Sequence, residues 1–463
     1  MKLNHTLSAK VPALISLAAG LTASFLLLSP APAHAQGGVP LWTNALPGNP
    51  GPRTSIAVDS GGNVFACSSS ATVKYSNDGI PLWTNLGGSA IAVDASGKVF
   101  VSGINGTVAY SGAGVPLWTN IFSGAIALDS IGNVFVSQNS ATVAYSNAGA
   151  PRWTNYYVLG YVQTEVNSSG NVFVAGIGSE MGNPGTLIAY SNGGLPLWTN
   201  RWSGGLSGIT ADRNGNVFIT GGSAGHYLTI KYSGAGVPLW TNRYNSGLWT
   251  PNDSASAIVA DSQGNVFVTG SSCGTTGGGA SDYATIKYSN SGVPVWTNRY
   301  DGPGQYSDYA AAIVVDSAGN VFVTGFSFYD QPGVPRPADW ATIAYSNDGV
   351  PLWINTYHGP DDLSYFAQAV AVDGLGNVFV TGISEASDFS QHGMTIKYSS
   401  SIPPPVILNF QKLNNQLVLS WTNANFILQS APFANGPFTN VAAATSPYTN
   451  SLTAPKQFFR LAE

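Results

Sequence analysis

Asp-Tyr-Ala-Thr-Ile-Lys-Tyr-Ser (282–289), Gly-Val-Pro-Val-Trp (292–296) and Ile-Val-Val-Asp-Ser-Ala-Gly-Asn-Val-Phe-Val-Thr-Gly (313–325) stand close together in the second half of the chain. Apolar and small polar residues alternate in them, and Ser-Asn-Ser-Gly and Asp-Ser-Ala-Gly-Asn punctuate them, as short strands joined by tight turns require. Each phrase recurs eight times. The tryptophan falls at Trp42, Trp83, Trp118, Trp153, Trp198, Trp240, Trp296 and Trp353. The phenylalanine falls at Phe65, Phe100, Phe135, Phe173, Phe218, Phe267, Phe322 and Phe379, and the tyrosine at Tyr75, Tyr110, Tyr145, Tyr190, Tyr232, Tyr288, Tyr345 and Tyr398.

The spacings turn the repeat into topology. A turn residue (Asp59, Asp94, Asp129, Asn167, Asp212, Asp261, Asp316 or Asp373) precedes its phenylalanine by six positions in every unit, and in the seven units where a tryptophan phrase follows, the tyrosine precedes its tryptophan by eight. An extra residue in a hairpin flips every side chain to the other face, so invariant spacing marks two rigid hairpins per unit. We name the strands A to D: A joins B through Asp-x-x-Gly-Asn, and C joins D through Ser-Asn-x-Gly. Four short antiparallel strands repeated eight times predict an all-β, eight-bladed β-propeller over residues 36–401. The eighth unit lacks its own tryptophan phrase, and the first phrase precedes the first A strand. The expectation is that 39–44 supply strand D of blade eight and latch the ring.

The recurring aromatics read as core between blades, and the turn aspartates as turn formers before metal ligands. Cys67 and Cys273 lie three blades apart on such a ring, so two free buried thiols are expected rather than a disulfide.

These phrases resemble the SBBP-type β-propeller repeat of exported bacterial proteins, over residues 39–399. The resemblance implies fold and export, and no single activity. The A/B hairpin is also similar to NHL repeats. Residues 344–353 are faintly similar to the tryptophan-docking turn of quinone-dependent dehydrogenases, without its Asp and Lys and with no C-x-x-C-H haem site anywhere in the chain.

At the N-terminus, Lys2 and Lys10, an apolar run over 11–28 and the ending Ala33-His34-Ala35 read as a signal peptide, 1–35, cut before Gln36. Its removal leaves 15 basic against 22 acidic side chains, a formal charge of −7. No later stretch has the length to span a membrane. The expectations are a secreted or cell-surface monomer, no transmembrane segment in the mature chain and no nucleic-acid partner. Residues 402–406, with three consecutive prolines, read as a stiff linker. Beyond it, 407–463 read as a small β-sandwich with strands at 416–421, 425–430 and 457–461, resembling a fibronectin-III-like module.

All length variation falls in the D-to-A and B-to-C connections, which emerge on one face. The long ones cluster in units six to eight, at 243–256, 271–283, 299–311, 326–340, 356–368 and 383–393. Ten of the 22 carboxylates lie there: Asp253, Asp282, Asp301, Asp308, Asp330, Asp339, Asp361, Asp362, Glu385 and Asp388. From these loops the candidate ligand-binding residues are Trp249, Tyr306, Tyr329, Trp340, His358, Asp361, Asp362, Tyr365, Asp388 and His392, on the reasoning that aromatic faces and acidic acceptors together hold a carbohydrate or a peptide. The loops also read as simply long, solvated and self-packed. A hydrolase or lyase on polysaccharide, using two loop carboxylates, is the enzymatic alternative, though no G-x-S-x-G or H-E-x-x-H signature is present. A structural or adhesion protein is the third reading. No catalytic residue, cofactor or metal-ligand set is assigned, while an acidic rim of this kind would suit Ca²⁺.

Overall fold

The computed structural model describes residues 15–16, 38–178, 184–247, 252–274, 280–303, 306–329, 337–359, 364–385, 390–399, 408–413, 416–421, 427–433, 437–442, 444–451 and 458–462. Trp249, Asp361, Asp362, Asp388, the linker 402–406 and all of 1–35 except Ile15–Ser16 lie outside them. The chain divides into two units, Gly37–Ser401 and the remainder. Among the described residues every regular element is a β-strand, and no helix is long and apolar enough to cross a membrane.

Gly37–Ser401 is a series of eight four-stranded antiparallel sheets, a β-propeller fold. In blade seven the strands are Asp308–Val315, Val321–Phe328, Ala338–Tyr345 and Pro351–Tyr357. The eighth sheet combines Tyr365–Val372, Val378–Glu385 and Gln391–Tyr398 with Pro40–Leu46, which pairs antiparallel to the last of these. The turns form for the reasons their residues dictate. Asp316 accepts the backbone N–H groups of Ala318 (2.9 Å) and Asn320 (2.8 Å), and the Gly319 beside them has φ +85°, where a side chain would be strained. In the C/D turn Ser346 Oγ accepts the N–H of Val350 at 3.1 Å. Pro351 enters strand D at a register shift, where its missing N–H costs the ladder nothing.

Strands B and C form the blade core, with all eight phenylalanines buried. Their buried threonine hydroxyls pair with one another, as Thr324 with Thr342 at 2.9 Å. Between sheets, each tryptophan lies between the phenylalanine of its own sheet and the tyrosine of the next. Trp118 stands 5.8 Å from Phe100 and 6.0 Å from Tyr145. Its Nε1 donates to Asn147 O (3.1 Å) across the joint, and its ring fills the space over Gly149. The same stack recurs around Trp42, which lies 6.1 Å from Phe379 and 5.6 Å from Tyr75, and Trp353 packs over Gly38. Lysines on strand C lie over the phenylalanine rings, Lys287 at 5.2 Å from the centre of Phe267.

The second unit has a three-stranded sheet (Asn409–Leu413, Gln416–Ser420, Tyr448–Ser451) and a sheet of Ile427–Ala431, Thr439–Asn440, Phe458–Ala462 and the pair Ile15–Ser16. Leu417, Leu419, Trp421, Leu428 and Phe459 from both sheets share one core. Cys67 and Cys273 are free and buried.

Candidate functional site

Blades six to eight carry strands of up to eight residues, and three positions recur where their added length meets the next blade. The first opens strand C, six residues before its tyrosine. The second follows strand D, five residues after its tryptophan. The third opens strand A of the next blade, eight residues before the turn aspartate. At the junction of blades five and six these are His226, Asn245 and Asp253; at six/seven, Asp282, Asp301 and Asp308; at seven/eight, Asp339, His358 and Tyr365.

At five/six, Asp253 is buried and fully engaged. Its Oδ1 accepts Ser272 Oγ (2.6 Å) and the Cys273 N–H (3.1 Å), its Oδ2 accepts the Ser246 N–H (2.9 Å), and His226 Nδ1 lies 3.8 Å away. Arg299 extends this network: its fork reaches Ser272, the Cys273 carbonyl, Tyr244 Oη (3.1 Å) and Asp282 Oδ2 (3.0 Å).

At six/seven the three aspartates each bring one oxygen to within 4.8 Å of the others. Asp282 and Asp308 are buried and Asp301 is exposed. Asp308 Oδ2 accepts the Gly302 N–H at 2.7 Å, and Ser327 stands directly opposite on strand B with its hydroxyl toward the same carboxyl. Burial pushes the Asp308 carboxyl up to about 7 against hydrogen bonds from the Ser327 hydroxyl and the Gly302 N–H, and the negative charges of Asp301 and Asp282 add to the rise. Burial and Asp282 also raise Asp301, against the pull of Arg299.

At seven/eight, His358 Nδ1 meets Asp339 Oδ1 at 2.8 Å and Tyr329 Oη at 2.9 Å, and its ring lies 6.5 Å from that of Tyr365. Next to this group Tyr309, Phe326, Phe328 and Phe366 form a cluster with ring centres 5.0–6.5 Å apart. Tyr309 is 38% exposed and the three phenylalanines are half-buried.

The structure thus brings together Tyr329, His358 and Tyr365 from the expected set. Two of that set are corrected as surface contacts. Trp340 is fully buried in the core between blades seven and eight, and Tyr365 is 2% exposed in the same core. Both lie in lengthened strands, Ala338–Tyr345 and Tyr365–Val372, rather than in loops. Tyr306 is half-buried in the connection before blade seven. His392 is exposed at the position equivalent to Asp282 and meets Ser390 Oγ at 3.1 Å. The shortlist omitted the Asp282, Asp301 and Asp308 triad and the rings of Phe326 and Phe328. The signal for the triad was in the repeat, since aligning units on the turn aspartate places all three at one junction. Tyr161, exposed at the start of strand A in blade four with φ 48° and the Arg53 guanidinium 5.9 Å over its ring, had no such signal.

No family model matches the chain, and no curated protein does. Among solved structures it is similar to the Neurospora crassa Pan2 WD40 domain (10% identity, 81% of this chain and 97% of that one, TM-score 0.42). It is also similar to a chain of a mitotic checkpoint complex (10% identity, 83% and 98%, TM-score 0.43). A protein of unknown function from Bacteroides caccae aligns at 14% identity over 55% of this chain and 91% of its own, with TM-score 0.35.

Proposed function

We propose that the chain is an exported, SBBP-like binding module. In this reading residues 36–401 are an eight-bladed propeller closed by Pro40–Leu46, residues 407–463 a fibronectin-III-like appendage, and the ligand a carbohydrate held on the rim of blades seven and eight. The supporting observation is the cluster of Tyr309, Phe326, Phe328 and Phe366, which presents partly exposed ring faces beside Asp339 and His358. Sugars stack their apolar C–H faces on aromatic rings and hydrogen-bond their hydroxyls to neighbouring carboxylate and imidazole groups, and this rim offers both. Closure draws support from the strand pairing of Pro40–Leu46 with Gln391–Tyr398 and from the Trp42 and Trp353 stacks.

The test is a glycan array probed with the full-length protein, with a peptide array in parallel. The expected result is binding to a set of glycans that Tyr309→Ala weakens by about tenfold, the loss of one stacking contact. Binding confined to peptides, or glycan binding unchanged in Tyr309→Ala, overturns the carbohydrate reading.

A further inference from the structure

We propose that strand D of blade one, Pro81–Leu86, pairs antiparallel with the same strand of a second copy of the chain, with the edge of blade two beside it in the interface. The result is a two-fold dimer in place of the monomer expected from the sequence, and it is independent of the carbohydrate reading. Strand D stands at the end of each of the eight sheets, so no other described strand pairs with its outer edge. An open edge is a template for another strand unless something blunts it, and a charged side chain is one such device. The repeat shows where this chain uses it. Three residues after the tryptophan, blades four, five and six place Arg201, Arg243 and Arg299. Blade three places Tyr156 there, and blades seven and eight place Thr356 and Ala45. Only blades one and two place a branched aliphatic residue, Leu86 and Ile121, which are 59% and 98% exposed. The blade itself does not call for them, since the other blades form the same strand with arginine, threonine or alanine at this position.

The strand is also its own complement. Trp83 and Asn85 turn toward blade two, where Trp83 Nε1 donates to Gly112 O (3.2 Å) and Asn85 Nδ2 to Gly114 O (2.8 Å). The opposite face presents Leu82, Thr84 and Leu86, all exposed. Turned about a two-fold axis at Thr84, this row meets itself as Leu82 on Leu86, Thr84 on Thr84 and Leu86 on Leu82, matched cross-strand pairs throughout. In blade five the same operation would set Arg243 against Leu239. Charge does not oppose the pairing. Between Gly79 and Leu128 the only charged residues are Asp94 and Lys98. Both are tied down in the A/B turn, across the sheet from strand D: Asp94 accepts the N–H groups of Ser96 and Lys98 (both 2.9 Å), and Lys98 Nζ donates to Asn147. In blade two Leu117, Thr119 and Ile121 continue the uncharged edge. The B/C hairpin carrying Ile104, 95% exposed, adjoins it, because the Cβ position of Gly106 lies 3.0 Å from the Ile121 Cα. Side chains this exposed on two adjacent edges amount to on the order of 500 Å² of apolar surface, the size at which a patch marks an interaction site. With the paired backbone they approach the ~800 Å² that each partner contributes to a stable interface.

The experiment is light scattering of the full-length protein after size exclusion, up to about 100 µM, where an interface of this size is populated. Wild type is expected to be a dimer with Kd on the order of 10⁻⁶ M. Leu86→Arg combined with Ile121→Arg is expected to weaken it by about a hundredfold or more, because each arginine would be desolvated against an apolar partner. That variant keeps the wild-type circular dichroism spectrum, since blades four to six already carry arginine at this position. Thr356→Arg, at the equivalent exposed position of blade seven, is the control and keeps the dimer. Register is tested by Thr84→Cys. Residues directly opposite in an antiparallel pair have Cα atoms about 4.5–5.5 Å apart, so mild oxidation should link two copies covalently, whereas Thr241→Cys in blade five should stay unlinked. Cys67 and Cys273 are buried and do not contribute. A wild type that stays monomeric at about 100 µM overturns the proposal, including one that instead sediments with phosphatidylcholine vesicles. A dimer unchanged in the double variant, or Thr84→Cys crosslinking no better than Thr241→Cys, does so equally.

Discussion

Blades two and seven are built on the same pair of hairpins and differ in height. Strands A, B and C of blade two are Ala90–Val93, Val99–Gly103 and Gly106–Tyr110, of four, five and five residues. In blade seven they are Asp308–Val315, Val321–Phe328 and Ala338–Tyr345, each of eight. Three or four added residues at about 3.3 Å each raise the sheet by roughly 10 Å on one face. The lower storey holds the repeated Phe, Trp and Tyr stack and is common to all blades. The upper storey exists where connections are long, and it alone holds the aspartate triad, the Asp339–His358–Tyr329 group and the four-ring cluster. Lengthening a strand carries side chains beyond the repeat's packing constraint while the ladder still fixes their register, so chemistry can vary there without loss of order.

If the ring depends on the lower storey, deleting 36–46 should have the largest effect of any change considered. It removes strand D of blade eight and the Trp42 stack, and exposes the edge of Gln391–Tyr398 to other chains. The expected outcome is aggregation and loss of the cooperative melt, read by light scattering and calorimetry. A monodisperse protein with an unchanged Tm would break the closure reading. Next in size, Phe135→Ala in a short blade and Phe322→Ala in a tall one should each cost about 3–5 kcal/mol by denaturant titration, because both rings are buried in equivalent cores. A difference above about 1 kcal/mol would mean that the upper storey props the lower one.

The lower storey was legible in the sequence because its constraint is positional. One inserted residue would turn the Phe65 or Tyr75 series out of the core, so turn spacing carried the whole hairpin. The upper storey was only half legible. Residues 326–340 and 356–368 read as loops because the repeat stops there, yet Phe326–Phe328 and Tyr365 continue strands and Trp340 faces inward. Nothing in the alternation distinguishes a strand that runs on from a connection rich in aromatics, so Trp340 and Tyr365 were taken for surface groups. The convergence of Asp282, Asp301 and Asp308 depends on three segments meeting, which composition cannot report and repeat alignment can.

Blade four lies between the short and tall blades and offers a smaller test. Where strand A faces the core phenylalanine, the other blades place Ala57, Ala92, Ala127, Thr210, Val259, Val314 or Ala371; blade four places Glu165 opposite Phe173. Burial pushes this carboxyl up to about 7, against a hydrogen bond from the Val166 N–H. A folded-state value above the unfolded one means that the folded protein binds the extra proton between about pH 4.5 and 7. Stability should therefore be fully present below about pH 4.5 and decline as pH rises through 7. Glu165→Gln should flatten that decline in a plot of Tm against pH, and an identical slope in the variant would place the carboxyl in water.

The smallest expected effect sharpens the comparison between the two upper-storey junctions. His358 and Asp301 occupy the same position, and each faces an aspartate, Asp339 or Asp282, at the start of strand C. In one blade the pair is attractive at 2.8 Å, and in the other it is two like charges held by Arg299 on one side. Asp301→His should convert the second arrangement into the first. Because position 301 is exposed, the gain should stay below about 1 kcal/mol, the range of surface ion pairs. It should be present near pH 6, where an exposed histidine is largely charged, and fade by pH 8. A variant no more stable than wild type near pH 6 would mean that repulsion at this junction is already relieved by solvent and by Arg299.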